Sequence, residues 1–286
     1  MTLLDRRLNA FRPDLANETL KDAVKAERYV SGRRAQVAAP VLDIRNAPRS
    51  DAGLDSQLLL GDAVAVFEEA EGYAWIQSER DGYVGYVAAA GLVADAPPAT
   101  HVVGVPRTFT YREPDMKRPS TGSFSLGSAF TVVGESETRG TRYALLESGE
   151  ALVASHLRRV GDSAVDFVAV AEMLDHTPYL WGGTSAFGID CSGLVQLSMR
   201  MAGRDVPRDT DMQANSIGEP LDIDEDLSAL RRGDLVFWQG HVAILVDAET
   251  IIHANGHTMT VAREPLRAAL GRIGYLYGKP TGYRRP

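Results

Sequence analysis

Near residue 160 the apolar pattern of the chain changes period, and no single core can satisfy both halves. Between residues 36 and 95, short β-branched or aromatic runs (Val64 to Phe67, Tyr73 to Ile76, Tyr83 to Val87) alternate with Gly/Asp turns at hairpin spacing. This pattern predicts a small β-barrel. The Pro97-Pro98 pair marks a linker, after which residues 101 to 160 repeat the plan with Val102 to Val105, Phe109 to Tyr111, Phe130 to Val133 and Tyr143 to Leu146. From Val165 onward helical spacing returns and a third segment, of mixed α+β type, begins. At 286 residues the chain suits two or three domains. Ahead of the barrels, Leu15, Leu20, Ala23, Val24 and Ala26 predict a short amphipathic helix between Asp14 and Arg28. The resulting plan is an arm over residues 1–35, barrels over 36–96 and 99–161, and the mixed domain over 163–286.

Charge narrows the classes of partner. The net charge is −8 and no Lys/Arg block forms a phosphate-tracking stripe, which argues against nucleic acid. The opening residues lack an apolar run followed by a small-residue cleavage site, and no window approaches the ~18 apolar residues that span a bilayer. The expectation is a soluble, cytoplasmic protein with no membrane insertion. The chain has one cysteine, Cys191, so an internal disulfide is excluded and the thiol is either buried filler or chemistry.

Its context favours chemistry. A Gly-rich loop ends at Asp190, a strong N-cap residue, and Leu194, Leu197 and Met201 then fall on one helical face before Gly203 offers a stop. Cys191 therefore sits in the first turn of a helix, where orphan N–H groups and the positive dipole end favour the thiolate and should lower its pKa below ~8.5. A nucleophilic thiol needs a base, and the base needs a third group to orient it. Two apolar runs, Leu235 to Val246 and Thr250 to Ala254, read as a hairpin around an Asp247-Ala248-Glu249 turn. If the turn centres on Asp247, His241 and His253 lie directly opposite on one face, with Cβ atoms ~4.5–5.5 Å apart. Ala243 on that face leaves room for a helix, while Val242, Ile244 and Val246 face the opposite core. His101, His156 and His176 read as structural. His253 and His257 are four residues apart, but without a second cysteine or an acidic ligand motif they do not make a metal site.

Six segments in order make residues 165–286 resemble the NlpC-type cell-wall peptidases, a bacterial branch of the papain-like fold. They are Tyr179-Leu180-Trp181-Gly182-Gly183, Asp190-Cys191-Ser192-Gly193-Leu194, Pro207 to Gln213, Arg232 to Trp238, Gly240 to Ile244, and Ile252-His253-Ala254. Residues 36–160 resemble two bacterial SH3-like barrels. The resemblance implies a cysteine endopeptidase, with Cys191, His241 and His253 as its catalytic residues and no metal or cofactor. It would cut the amide between γ-D-glutamate and an L-diamino acid, usually diaminopimelate, in peptidoglycan stem peptides. The domain order resembles that of murein-peptide recycling enzymes, which implies substrates such as L-Ala-γ-D-Glu-diaminopimelate. Asp55 and Tyr83 match positions where the family recognises the free amino group of L-alanine, although the family's acid there is glutamate. Tyr179, Trp181, Asp190, Ser192 and Asp209 match further substrate contacts. The alternatives are another papain-like amidase or acyltransferase, and a catalytically silent wall-binding module.

Overall fold

The computed structural model describes residues 4–94 and 96–286, so the first three residues of the arm lie outside the described residues. The chain divides into two compact units, Met1–Val160 and Gly161–Pro286. Among the described residues no helix is long and apolar enough to cross a membrane.

In the first unit, seven strands form one sheet in the order Leu54–Leu59, Val41–Arg45, Val84–Ala88, Tyr73–Ser78, Ala63–Ala70, Arg33–Val37 and Leu92–Val93. Period-two patterning explains its core: Val64 and Val66 are buried and Ala63 and Ala65 only partly so. They join Val37, Ile44, Ile76 and Val87 inside the barrel. A bulge between Val66 and Glu68 turns Phe67 away from this core, into a second cluster with Ala10, Leu15 and Trp75.

That second cluster overrides the helix expected over Asp14 to Arg28. Instead Leu15–Asn17 is a strand paired in parallel with Arg28–Val30, and only Glu18–Leu20 makes a 3₁₀ turn, capped by the Asn17 side chain. Leu15 and Ala16 are buried against the barrel, whereas Leu20, Val24 and Ala26 are half-buried and Ala23 is exposed. The supposed apolar face is therefore split between core and surface, and packing rather than propensity decides. Arg12 secures the arm, with its guanidinium 4.4 Å from the centre of the Trp75 ring and its Nη2 2.5 Å from Glu68 Oε2.

Residues 101–159 make a three-stranded and a five-stranded sheet over a small core of Val103, Phe130 and Leu152. Phe124 meets Phe130 edge-on at 4.9 Å. His101 and His156 hydrogen-bond to the hydroxyls of Thr100 and Thr108 at 2.8 and 2.9 Å.

The second unit holds helices α1 (Phe167–Met173), α2 (Cys191–Met201), α3 (Thr210–Ser216) and α4 (Leu266–Tyr277). Its sheet runs in the order Glu219–Leu221, Gly282–Arg285, Leu235–Trp238, His241–Leu245, Thr250–Asn255 and Thr260–Pro265. Strand Leu235–Trp238 is buried throughout, as its unbroken apolar run requires. Ala243 shares a core cluster with Leu266, Ala269 and Ile273 of α4, so the small residue does admit a helix.

Asp190 caps α2 through Gly193 N at 2.7 Å, and Gly203, with φ +76°, follows its end. The helix start is packed backbone to backbone against the Gly-rich loop. A Cβ on Gly193 would lie 2.3 Å from the Gly183 carbonyl oxygen. Gly193→Ala should therefore cost about 1–3 kcal/mol by overpacking. Urea denaturation checks this, and wild-type stability in the variant would show that the loop yields.

Candidate active site

Everything around Cys191 follows from how α2 begins. Cys191 is buried at its first position, with Sγ 3.8 Å from Thr210 Oγ1 and 4.0 Å from the Gly240 carbonyl oxygen. The Val242 N–H also approaches Sγ. The backbone on both sides of His241 thus touches the sulfur. Of the first three N–H groups of the helix, which lack intrahelical partners, Gly193 is satisfied by Asp190. Those of Cys191 and Ser192 remain at the dipole's positive end.

His241 Nε2 is 2.8 Å from His253 Nδ1. The expected pairing is close but not in the expected register. Ile244 faces Ile252 and Leu245 faces Ile251, which centres the turn on residue 248 rather than 247. The cause is Asp247, whose Oδ1 accepts from Glu249 N and Thr250 N and so lengthens the turn by residues of its own. A shift of two residues preserves the face, so the histidines meet along the diagonal of the ladder instead of directly across it.

Behind Cys191 lies a charge pair that sequence reasoning missed. Arg208, 1% exposed, holds Asp190 through two bonds of 3.0 Å (Nη1 to Oδ1) and 2.6 Å (Nη2 to Oδ2). It also donates to Ser192 Oγ at 2.8 Å, while Asp190 Oδ2 accepts from Gly182 N at 2.9 Å. Gln213 ties α3 to the same spot by donating to Ser192 O and Pro207 O. The side chains of Asp190 and Ser192, expected among substrate contacts, are thus both buried and both bonded to Arg208. The only sequence signal for Arg208 was its place in the Pro207 to Gln213 segment, which gave it no role.

The other expected residues are spread over two environments. Tyr179 is half-buried, and its hydroxyl is pushed above the usual range by burial and by the nearby Cys191 and Asp190. Trp181 is 71% exposed. Asp209 is the N-cap residue of α3. Asp55 and Tyr83 belong to the first unit, where Asp55 is half-buried on Leu54–Leu59 and Tyr83 is part of the barrel core.

Electrostatics set a resting state different from the one expected. Burial, and then the Asp190 charge, push the Cys191 thiol up to about 11, against smaller lowering effects from Val242 N–H, Thr210 and Arg208. The expected lowering by the helix end fails because the cap is itself an anion and water is excluded. Burial, then His253 and Arg272, push His241 down to about 3, while Glu264 acts in the opposite sense. At neutral pH the pair is thiol and imidazole, both uncharged. Glu264 is raised by burial but lowered more by its contacts with His253 and Arg272, so it stays ionised.

Residues 176–270 match the NlpC/P60 family, and residues 44–92 match the bacterial dipeptidyl-peptidase Sh3 domain. The probable endopeptidase NlpC of Escherichia coli is 37% identical over 108 residues, which are 34% of this chain and 67% of that protein. The chain belongs to the NlpC/P60 family. It is a peptidase-family hydrolase with a papain-like domain preceded by an SH3 domain. A gamma-D-glutamyl-L-lysine dipeptidyl-peptidase of Bacillus subtilis is 27% identical over 231 residues, 72% of this chain and 73% of the relative. The crystal structure of an NlpC/P60 family protein from Bacillus cereus superposes with a TM-score of 0.72 at 22% identity. It covers 88% of this chain and 99% of its own, a likeness of fold.

Two outcomes follow for the NlpC/P60 domain. Arg208→Ala strands the buried Asp190 carboxylate and should cost about 3–5 kcal/mol in urea denaturation. His241 has a folded pKa near 3 against 6.5. Its contribution to stability is therefore complete above about pH 6.5 and is lost as pH falls toward 3. Denaturation at stepped pH should show His241→Gln losing less stability than wild type across that window, and parallel curves would contradict the assignment.

Proposed function

We propose that this protein is a cysteine endopeptidase that hydrolyses the γ-D-glutamyl–L-diamino acid bond of peptidoglycan stem peptides. The observation that carries the reading is the buried thiol at the start of α2, with the backbone flanking His241 against it and His253 2.8 Å behind His241. The names of the relatives support this choice of bond. One is a gamma-D-glutamyl-L-lysine dipeptidyl-peptidase, and the Sh3 match also carries a dipeptidyl-peptidase label. Release of a dipeptide requires recognition of a free N-terminus, which fits short recycled murein peptides such as L-Ala-γ-D-Glu-diaminopimelate. In this reading the domains are the arm to residue 35, SH3-like barrels over 36–96 and 99–161, and the peptidase over 163–286. Asp55 pairs with the L-alanine ammonium, and the buried Tyr83 offers it only a hydroxyl.

The chemistry is acyl transfer. His241 takes the Cys191 proton as Sγ attacks the γ-glutamyl carbonyl, so the neutral pair becomes an ion pair only along the reaction. The N–H groups of Cys191 and Ser192 hold the oxyanion, joined by the Tyr179 hydroxyl, which burial keeps protonated. The imidazolium returns the proton to the departing amine, and water then cleaves the thioester, regenerating the thiol. Trp181 and Asp209 supply contacts to the peptide, and Asp190 and Ser192 act through Arg208 to fix the helix start.

Mass spectrometry of products from L-Ala-γ-D-Glu-diaminopimelate, its L-Lys counterpart and an N-acetylated copy tests each part. The free peptides should release the diamino acid and the acetylated copy should not. Cys191→Ala and His241→Ala should each lose at least about 10²-fold in kcat, the scale of a nucleophile or general base. Undiminished turnover in folded Cys191→Ala would exclude the mechanism. Equal cleavage of the acetylated peptide would discard amino-group recognition while leaving the chemistry in place.

A further inference from the structure

The two histidines share a single hydrogen between His241 Nε2 and His253 Nδ1. Which nitrogen owns it decides whether a base exists. If His253 holds it on Nδ1, His241 must accept at Nε2 and carry its own hydrogen on Nδ1, leaving no lone pair for the thiol. If His241 holds it on Nε2, its Nδ1 is bare and basic. His241 and His253 alone do not choose between these states.

A third group does. His253 is 1% exposed, and its Nε2 lies 2.8 Å from Glu264 Oε1 in a bent approach, with no aligned hydrogen-bond partner among the described residues. Glu264 comes from the next strand, where His253 pairs with Ala262, so the carboxylate reaches back along the ladder diagonal. Arg272 of α4 binds the same Oε1, which anchors the carboxylate and keeps it anionic. Among the described residues, the charged or titratable groups facing His253 are His241 on one neighbouring strand and Glu264 on the other, with Arg272 of α4 on the same carboxylate.

We infer that Glu264, clamped by Arg272, is a positioning residue that sets the tautomers of both histidines. A bare Nε2 lone pair facing a carboxylate at 2.8 Å is repelled, so His253 carries its hydrogen on Nε2. Its Nδ1 is then an acceptor, His241 donates from Nε2, and His241 Nδ1 is left as the base. The effect passes through two rings without Glu264 touching substrate. When His241 becomes an imidazolium, it still donates to His253 Nδ1, and no second proton needs to move. This deepens the proposed cysteine-peptidase reading and rests on it for its catalytic consequence, though not for the tautomers themselves.

The test compares Glu264→Gln, which keeps an acceptor oxygen for both Arg272 and His253, with Glu264→Leu, which keeps only the bulk. Nitrogen-15 NMR of labelled histidines reads the tautomers without any substrate, and the pH dependence of Cys191 alkylation by iodoacetamide reads the base. Wild type and Glu264→Gln should show His253 protonated at Nε2 and His241 bare at Nδ1. Glu264→Leu should show mixed tautomers, slower alkylation near neutral pH, and kcat lower by about 10–10²-fold with KM unchanged, since a general base is worth about 10²–10⁴. A wild-type His253 protonated at Nδ1 would overturn the inference. So would unchanged tautomers in folded Glu264→Leu, or equal losses in the two variants. If wild type cleaves none of the peptides while the spectra follow this pattern, the substrate reading fails and the tautomer assignment stands.

Discussion

The site depends on a guanidinium sealed behind it. Arg208 and Asp190 form an ion pair at the start of α2, with the Arg208 side chain 1% exposed. Removing two charges from water is expensive, and the cost is met here by the bonds Asp190 accepts: two from Arg208, one each from Gly182 N and Gly193 N, and a longer one from Ser192 Oγ. The same carboxylate therefore caps the helix, pins the Gly-rich loop and fixes where the sulfur sits. An apolar pair of equal volume would fill the space but would leave Gly182 N–H and Gly193 N–H unsatisfied, and with them the geometry of the turn that presents Cys191.

This pair also explains the electrostatic balance of the centre. An anionic cap offsets the helix dipole, and burial then keeps the thiol protonated and the imidazole neutral. Charge separation is postponed until a substrate carbonyl can accept the sulfur's electrons. Thr210 and Val242 N–H, both against Sγ, stabilise the anion as it forms without being strong enough to create it beforehand.

Legibility in the sequence followed the range of the interaction. The helix from Cys191 to Met201, its Asp190 cap and its Gly203 stop are local chemistry and were readable. The face shared by His241 and His253 was readable too, because parity survives a slip of two residues, but the register was not, since the Asp247 side chain shapes the turn. The arm misled for the opposite reason: its apolar spacing was real, yet Leu15 found partners in Phe67 and Trp75 that no local window contains. Arg208 and Thr210 entered only as members of the Pro207 to Gln213 segment, with no role of their own, and Glu264 carried no signal. Each acts on a residue 11 to 19 positions away in sequence, through contacts that exist only once the sheet and α2 have assembled.

A thiol kept protonated and buried is also a thiol protected from oxidation. Peroxides react with the thiolate, and Cys191 offers little of it at rest. The protection has a counterpart. With one cysteine in these 286 residues, a sulfenic acid formed on Cys191 meets no resolving thiol within the chain, so its repair falls to small thiols able to enter the site. The burial that delays damage also narrows the route by which it can be reversed.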